Sequence, residues 1–302
     1  MKHKFTLVIN SGRSGSTYLF NILRKNFATQ AYIAHEDIPP RVSLPQKYNR
    51  AYDNRLIIEI LKDRNLMQYF ERWQKQIEST PVIETGWTSC HLAPVLQYLF
   101  KDKFQYIILH RHPIEFAASR SVMGNYHKET FYRKFHEISP FDQRSIYPQK
   151  QAEWNTMNHF EKCLFWWYVT YSEAFEFRNK YSEISNLEFS SKSLFDLKQT
   201  KVLIDFLGLD ITGDLDTNVS RNSLPVRQLE TFPILDEWRD YHKHNDIIEF
   251  AESLGYTFDD FYLEKKMSKY KLKKAFSLFR YKTKYWKVKA MLKQRIQSLG
   301  FK

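Results

Sequence analysis

The sequence contains almost no cysteine, little glycine and no long apolar run. Cys90 and Cys163 are the only cysteines among 302 residues, and their separation suits neither a disulfide framework nor a metal site. No stretch reaches the roughly 18 apolar residues of a membrane span, and the apolar part of the N-terminal "MKHKFTLVIN" is too short for a signal peptide. These absences predict a cytoplasmic protein with structural thiols.

Acidic residues are absent from the segment 265–302, where 12 Lys and 2 Arg give a charge of +14. The rest of the chain has 32 basic and 34 acidic residues, so the net charge of +12 belongs to this segment. Apolar residues recur in it with helical spacing, at Leu278, Tyr281, Tyr285, Val288, Leu292, Ile296 and Leu299. The pattern predicts a basic amphipathic helical tail at 265–302, after a domain at 1–264.

Three partners remain open for this tail: an anionic membrane surface, a protein surface and nucleic acid. Aromatic residues among the bases favour a membrane over nucleic acid, and the protein would then be peripheral on the inner face of a membrane. A protein surface would be the chain's own domain or a second copy in a homodimer.

Short apolar runs rich in β-branched and aromatic residues alternate with helical patterns. The predicted strands are Phe5–Asn10, Ala31–Ala34, Val82–Glu84, Phe104–Leu109 and Leu187–Phe189. The predicted helices include Ser16–Lys25, Asn54–Gln76, His91–Leu99, Asn158–Arg178 and Thr200–Asp210, the last ended by Gly208. This alternation predicts an α/β fold of three layers, with a central, mainly parallel sheet flanked by helices.

The first predicted strand leads into a loop of small residues, "SGRSGST", and then into a helix. Gly12 and Gly15 permit tight turns, and the amides and dipole at the start of the helix favour an anion. A Walker loop would place Lys after its last glycine, whereas here Ser16 follows Gly15 and the nearby cation is Arg13. The loop therefore predicts a phosphate site that departs from the nucleoside-triphosphatase pattern.

The segment "FQYIILHRHPIEFAASRSVMGNY" repeats this arrangement at the fourth predicted strand. Arg111 precedes a helix that begins with Pro113, and Ser119 follows eight residues after the arginine. Because residues seven or eight apart are separated by two helical turns, Arg111 and Ser119 can contact one phosphate along that face. Anion positions at two strand ends predict a nucleotide with two separate phosphate groups.

With these two motifs the sequence resembles the sulfotransferases that use 3′-phosphoadenylyl sulfate (PAPS). "SGRSGSTYL" looks like their loop for the 5′-phosphosulfate, and "RHPIEFAAS" is similar to their R-D-P-x-x-x-x-x-S element for the 3′-phosphate. "LIDFLGLD" resembles a late helix and turn of the family, and His112 stands where the family usually has Asp. The resemblance covers roughly residues 4–212. It implies a P-loop-like fold, PAPS as donor and 3′,5′-ADP (PAP) as product.

The resemblance also implies a role for each matching residue. Arg13 would contact the sulfuryl group and the leaving phosphate, and Tyr18 would lie near the adenine. Arg111 and Ser119 would bind the 3′-phosphate. The 5′-phosphate would be held by Ser14, Gly15, Ser16 and Thr17.

Sulfuryl transfer to a hydroxyl needs stabilisation of charge on the leaving oxygen and a base for the acceptor's proton, and it requires no metal. Arg13 cannot accept a proton, so we assign it to charge stabilisation. For the base we rank Glu36 and then His91, because both follow predicted strands and resemble catalytic positions of the family. His35 and Glu84 rank behind them.

We expect the acceptor hydroxyl to belong to a carbohydrate or glycolipid. Its pocket would be lined by Pro39–Asn54 and Asn125–Gln151, which follow no clear period. Two other classes of protein stay open. One is an atypical P-loop kinase, which would bind ATP with magnesium, and the other is a non-catalytic adaptor for membranes or nucleic acid.

Overall fold

A five-stranded sheet forms the centre of the protein. The computed structural model describes residues 3–43, 54–126, 137–142, 145, 147–219 and 237–268. Strands β1 to β5 are Phe5–Ile9, Tyr32–Ala34, Val82–Glu84, Phe104–His110 and Asn186–Ser190. Their spatial order is β2-β3-β1-β4-β5, and every neighbouring pair is parallel. The α/β fold with a central parallel sheet is confirmed.

Helices flank the sheet along the whole described chain. The α-helices are α1 Ser16–Phe27, α2 Pro40–Ser43, α3 Asn54–Lys62, α4 Arg64–Gln76, α5 Ala93–Phe100, α6 Pro113–Val122, α7 Gln151–Trp154, α8 His159–Lys180, α9 Leu197–Phe206, α10 Asn245–Ser253 and α11 at 260–268. Short 3₁₀ helices occur at Trp87–Leu92, Lys101–Lys103, Pro148–Lys150, Ser193–Phe195 and Trp238–Lys243.

Two hydrophobic clusters pack on opposite faces of the sheet. Phe5 and Leu7 of β1 belong to the larger cluster, which includes apolar residues of α4, α5, α6 and α8, whereas Val8 belongs to the smaller one with residues of α1 and α9. Phe5 stacks on Phe100 with ring centroids 4.3 Å apart. Because both faces are covered, every residue of β4 is buried, which explains the continuous apolar run read from the sequence.

Three predicted helices differ from the structure in their detail. The predicted helix Thr200–Asp210 is observed as Leu197–Phe206, because Asp196 caps its start. The predicted helix Asn54–Gln76 is interrupted at Asp63, whose carboxylate accepts hydrogen bonds from the first turn of α4. A side-chain cap of this kind starts a new helix. The predicted start at His91 is also wrong, because His91 lies in the 3₁₀ helix Trp87–Leu92 and α5 begins with Ala93 and Pro94.

Several predicted segments lie wholly or partly outside the described residues. The basic tail is described only to residue 268, so its predicted helical face at Leu278–Leu299 falls outside. Helix α11 continues across the predicted boundary at residue 264, and its Leu263 and Met267 are buried in the larger core cluster. The described parts of the two predicted acceptor segments are 39–43, 54, 125–126, 137–142, 145 and 147–151.

Parallel strands place all five carboxyl ends at one edge of the sheet. The loop after β1 lies between the loops after β3 and β4, because β1 is the middle strand. The strands on one side of β1 are β3 and β2, and those on the other side are β4 and β5, so the order of strands reverses at β1. Open α/β sheets bind ligands in the crevice at the carboxyl ends of the strands where this reversal occurs. Arg13, Glu36 and Arg111 all follow strands at this edge.

Candidate functional site

The loop after β1 has a backbone shaped to surround an anion. Gly12, Arg13 and Gly15 have φ of 70°, 55° and 95°, so three left-handed residues bend the chain within one turn. Such bends turn consecutive amide groups toward a common point. Gly15 is the N-cap of α1 and provides no side chain there, and no other side chain of the described residues caps this helix. The amides of its first turn can therefore bind an anion.

Polar residues on neighbouring elements hold this loop in place. The amide of Gly12 donates to Asn10 Oδ1 at 2.9 Å, and Asn10 Nδ2 donates to the Thr85 carbonyl at 3.1 Å. The Tyr171 hydroxyl of α8 lies 2.9 Å from Ser14 Oγ and donates to a carbonyl of β4 at 2.7 Å. Because Ser14 is completely buried, its hydroxyl holds the loop from inside.

The structure brings the two sequence motifs together. Arg13 Nε donates to Ser119 Oγ at 3.1 Å, and Arg111 Nη1 donates to the Arg13 carbonyl at 3.1 Å. Two arginines from different strand ends therefore meet beside the start of α1. Pro113 begins α6 as predicted, and His112 is its N-cap, with Nδ1 accepting from the Ile114 amide at 3.2 Å. His112 thus caps the helix, as an Asp can.

Glu115 pairs with the cations of this corner. Its Oε2 accepts from Arg111 Nε at 3.1 Å and Nη2 at 2.8 Å, and its Oε1 pairs with Lys266 of α11 at 2.9 Å. Burial would raise the pKa of Glu115, but Arg111 and Lys266 outweigh it and hold that pKa below its ordinary value. One carboxylate therefore pairs with two cations at the wall of the site.

A cleft of about 790 Å³ opens beside this corner. It extends from the loop after β1 to the segment that follows α10, and Lys192, Tyr256 and Lys266 contribute to its walls. Its other lining residues are Ser14, Gly15, His110, Arg111, His112, Glu115, Ser190, Ser191, Phe195, Leu254, Gly255, Thr257, Asp259 and Tyr262. Its size suits a nucleotide-sized ligand, and its lining includes the basic residues Arg111, Lys192 and Lys266.

Tyr18 and Ser16 are less accessible than the sequence motif implies. Tyr18 is 6% exposed and packs in the smaller core cluster, with its ring 4.8 Å from that of Phe195, which lines the cleft. Ser16 is 4% exposed. Tyr18 therefore supports the wall of the cleft through Phe195.

His35 connects Thr17 to the end of β3. Thr85 Oγ1 donates to the Ala34 carbonyl at 2.9 Å, so His35 Nδ1, 2.9 Å away, carries the hydrogen and donates to that oxygen. In the neutral ring Nε2 then accepts from Thr17 Oγ1 at 3.1 Å. Burial lowers the pKa of His35, and the negative charge of Glu36 only partly offsets this effect. Because both ring nitrogens are engaged, His35 orients Thr17.

Glu84 is completely buried at the end of β3 and organises the backbone around it. Its Oε1 accepts from the amides of Glu36 at 3.0 Å and Gly86 at 2.5 Å, and its Oε2 accepts from the Asp37 amide at 3.3 Å. Burial raises the pKa of Glu84 to about 7, although these amides favour the charged form. This carboxylate therefore positions the loop that carries Glu36.

Glu84 should make the stability of the fold pH-dependent. Its pKa is raised from an ordinary value of 4.5 to about 7, so the folded state binds more protons and stability falls as pH rises between these values. We expect Glu84→Gln to remove about 3 kcal/mol of this pH dependence. Urea unfolding of both proteins at pH 5 and pH 8 measures it, and equal pH dependence in the two would contradict the assignment.

The two higher-ranked base candidates stand in different settings. Glu36 is exposed, and its backbone has a left-handed φ of 56°, a conformation that costs energy for a residue with a side chain. His91 Nε2 donates to the Ser43 carbonyl at 3.0 Å, which leaves the lone pair on Nδ1. Burial lowers the pKa of His91 to about 4, so its ring is neutral at pH 7.

Five contributors to this region were not singled out from the sequence: Tyr171, Lys192, Tyr256, Lys266 and Arg120. Tyr171 contacts Ser14 across 157 positions of sequence. Lys192 follows β5 directly, and its place after a strand end is a signal that the sequence does contain. The other contacts arise only when distant segments fold together.

Comparison with known proteins supports the fold. No family model and no curated protein sequence matches the chain. The sulfotransferase domain of the olefin synthase from Synechococcus PCC 7002 matches with a TM-score of 0.50 and 17% identity, over 86% of this chain and 98% of that domain. The protein therefore has the fold of a sulfotransferase domain.

Two further solved structures resemble the chain. One is a sulfotransferase from Alicyclobacillus acidocaldarius, with a TM-score of 0.48, 10% identity and coverage of 84% of this chain and 96% of that one. The other is the sulfotransferase domain of the curacin biosynthetic pathway, with a TM-score of 0.41 and 15% identity, over 89% of this chain and 98% of that domain. Within the described ranges no helix has the length and apolarity of a membrane span, and no three His, Cys, Asp or Glu side chains form a group suited to a metal ion.

Proposed function

We propose that the protein is a sulfotransferase that moves a sulfuryl group from PAPS to a hydroxyl of a carbohydrate or glycolipid. The observation that carries the proposal is the meeting of two arginines at the uncapped start of α1. Arg13 reaches Ser119 of α6, and Arg111 reaches the Arg13 carbonyl, each at 3.1 Å. The start of α1, through Ser14 and Gly15, and Arg111 both line one cleft at the carboxyl edge of the sheet.

The residues present suit a nucleotide with phosphates at two positions. The amides of Gly15 to Thr17 at the start of α1 would hold the 5′-phosphosulfate, with Arg13 at its sulfuryl end. Arg111 and Ser119 would hold the 3′-phosphate. The pairing of Arg111 with Glu115 at 2.8 Å would then open or be shared. Arginine suits this task because its planar donors bind phosphate oxygens in pairs.

The reaction is an in-line displacement at sulfur. The bond between sulfur and the bridging oxygen of PAPS breaks, and a bond forms from sulfur to the acceptor's oxygen. The acceptor's proton passes to a base, and the leaving phosphate takes the electron pair. Arg13 would stabilise the charge that develops on the leaving oxygen, a contribution that is large where water is excluded.

For the base we propose Glu36, with His91 as the second candidate. His35 binds Thr17 and Thr85 through both ring nitrogens, and Glu84 is completely buried under three amides. These contacts give the two lower-ranked candidates positioning roles. Glu36 is exposed at the same edge of the sheet as Arg13, so an acceptor hydroxyl can reach it.

The acceptor half of the proposal rests on the sequence of the tail. Its +14 charge and apolar spacing suit an anionic membrane surface, where a glycolipid would be presented to the cleft. Transfer of labelled sulfate from PAPS to a panel of soluble glycans and glycolipid vesicles tests this half. If sulfate is transferred neither to the glycans nor to the glycolipids, the acceptor half of the proposal is wrong.

The donor half is tested by ligand-induced stabilisation. A ligand that binds only the folded state at 100 times its Kd adds about 2.7 kcal/mol, so 3′,5′-ADP should raise the Tm clearly without metal. Arg111→Met should bring binding of 3′,5′-ADP down to that of 5′-AMP, because the 3′-phosphate loses its cation.

Arg239→Met is the matched control for this experiment. Arg239 is exposed over the Trp238 ring and pairs with Glu264, away from the lining of the cleft. Its replacement should leave nucleotide binding unchanged. A shift with ATP and magnesium but none with 3′,5′-ADP would overturn the proposal in favour of a kinase.

A further inference from the structure

Arg120 is a cation buried beneath the loop after β1. It follows Ser119 in α6 and is 6% exposed. Three aromatic rings surround its guanidinium, whose central carbon lies 4.1 Å from the ring centroid of Trp166, 5.2 Å from Trp87 and 5.6 Å from Phe116. Such rings stabilise a cation and exclude water from it.

Its hydrogen bonds tie it to the loop and leave it incompletely satisfied. Nη2 donates to the Ser11 carbonyl at 2.6 Å, and Nε is a buried donor without an acceptor among the described residues. Gly12 lies directly over the guanidinium, and a Cβ at Gly12 would overlap with Nη2. The glycine therefore permits the loop to rest on a charged group.

No carboxylate of the described residues forms an ion pair with Arg120. Burial lowers the pKa of Arg120 to about 10, and the like charge of Arg13 acts in the same direction. The side chain remains charged at pH 7. A buried charge without an ion-pair partner is unfavourable. Glu36 favours the charged form of Arg120 without forming an ion pair with it, and an anion in the loop would add a counter-charge.

We propose that Arg120 is a positioning residue that supplies buried positive charge to the 5′-phosphate end of the donor site, an inference that rests on the proposed function. It acts through the Ser11 carbonyl and the loop, from the side away from the ligand. The aromatic rings keep salt and water from screening its charge. The apo protein carries two like charges at this loop, and ligand binding relieves their repulsion.

The proposal makes different predictions for the free and the bound protein. Methionine has a similar length and no charge, so Arg120→Met should leave the unfolding free energy of the apo protein unchanged or raised. The same change should weaken the binding of 5′-AMP and of 3′,5′-ADP equally, by about 10- to 100-fold in Kd. Binding of adenosine 3′-phosphate should stay within about threefold. A residue with a purely structural role would lower apo stability and show no such dependence on phosphate position.

The experiment measures Kd for these three nucleotides and for inorganic pyrophosphate by calorimetry, with urea unfolding of each apo protein. Arg120→Lys keeps the charge and should lie between wild type and Arg120→Gln in affinity. Arg239→Met is the control for an exposed cation that lies over an aromatic ring. If Arg120→Met does not fold, the comparison of Arg120→Lys with Arg120→Gln gives the same test.

The outcomes separate this inference from the proposed function. The role of Arg120 is overturned if Arg120→Met weakens binding of adenosine 3′-phosphate as much as binding of 5′-AMP. It is also overturned if the variant loses apo stability while its nucleotide affinities stay unchanged. Wild-type binding of pyrophosphate that depends on Arg120, without binding of 3′,5′-ADP, supports the buried charge and overturns the donor assignment. Wild-type protein that binds neither overturns both.

Discussion

Replacement of Arg13 by methionine should lower sulfuryl transfer from PAPS by about 10²- to 10³-fold, the usual effect of removing one donor from a developing oxyanion. Arg13 Nε donates to Ser119 Oγ at 3.1 Å, and Arg111 Nη1 donates to the Arg13 carbonyl at 3.1 Å, so both arginines lie at the start of α1. Binding of 3′,5′-ADP, which lacks the sulfuryl group, should weaken much less.

Single-turnover release of 3′,5′-ADP from PAPS, with glycan or glycolipid acceptors, measures this effect. Arg13→Lys keeps a charge without the paired donors and should recover part of the rate. Arg239→Met should behave as wild type. A normal transfer rate in Arg13→Met would exclude Arg13 from the chemistry, whatever its effect on binding.

The same assay separates the two base candidates. Glu36→Gln should bind 3′,5′-ADP normally and lose transfer, because the carboxylate is needed only for the acceptor's proton. His91→Gln should retain most of the rate, since Nε2 of His91 donates to the Ser43 carbonyl and its neutral ring is a weak base. The reverse result would move the role to His91.

Much of the sheet and half of the site could be predicted from local sequence. Each end of every predicted strand lies within one residue of the observed end, because a strand buried on both faces has a short run of apolar residues in its sequence. Arg13, Arg111 and Ser119 could be paired because each lies at a strand end or on the following helix. Parallel strands then bring those ends to one edge.

The other half depends on contacts that no local pattern encodes. The family resemblance assigns Ser14 to the 5′-phosphate, but the Ser14 hydroxyl lies 2.9 Å from that of Tyr171 and the residue is completely buried. Arg120 appears in the sequence as one base on a helix, and only the rings of Trp87 and Trp166 make it a buried charge. In both cases the contacting residues are far apart in the chain, so the sequence pattern cannot predict that they meet.

Gly86 packs closely against the backbone of Glu36, and its replacement by alanine should cause the largest loss of stability. A Cβ at this position would overlap with the backbone nitrogen and Cα of Glu36 and with a carboxylate oxygen of Glu84. Its φ of −77° is ordinary for any residue, so the effect of Gly86→Ala is purely steric. Backbone cannot move aside as a flexible side chain can, and we expect a loss of about 3 kcal/mol.

Gly213→Ala is the matched control, because a Cβ there would meet nothing within 4 Å. Urea unfolding should therefore separate the two variants by about 3 kcal/mol, and thermal unfolding by several degrees. In the folded fraction of Gly86→Ala, transfer should fall further than binding of 3′,5′-ADP, since the displaced backbone carries Glu36 and not the loop after β1. Equal stability of the two alanine variants would show that the loops after β2 and β3 are not in contact, and the position assigned to Glu36 would fall with that contact.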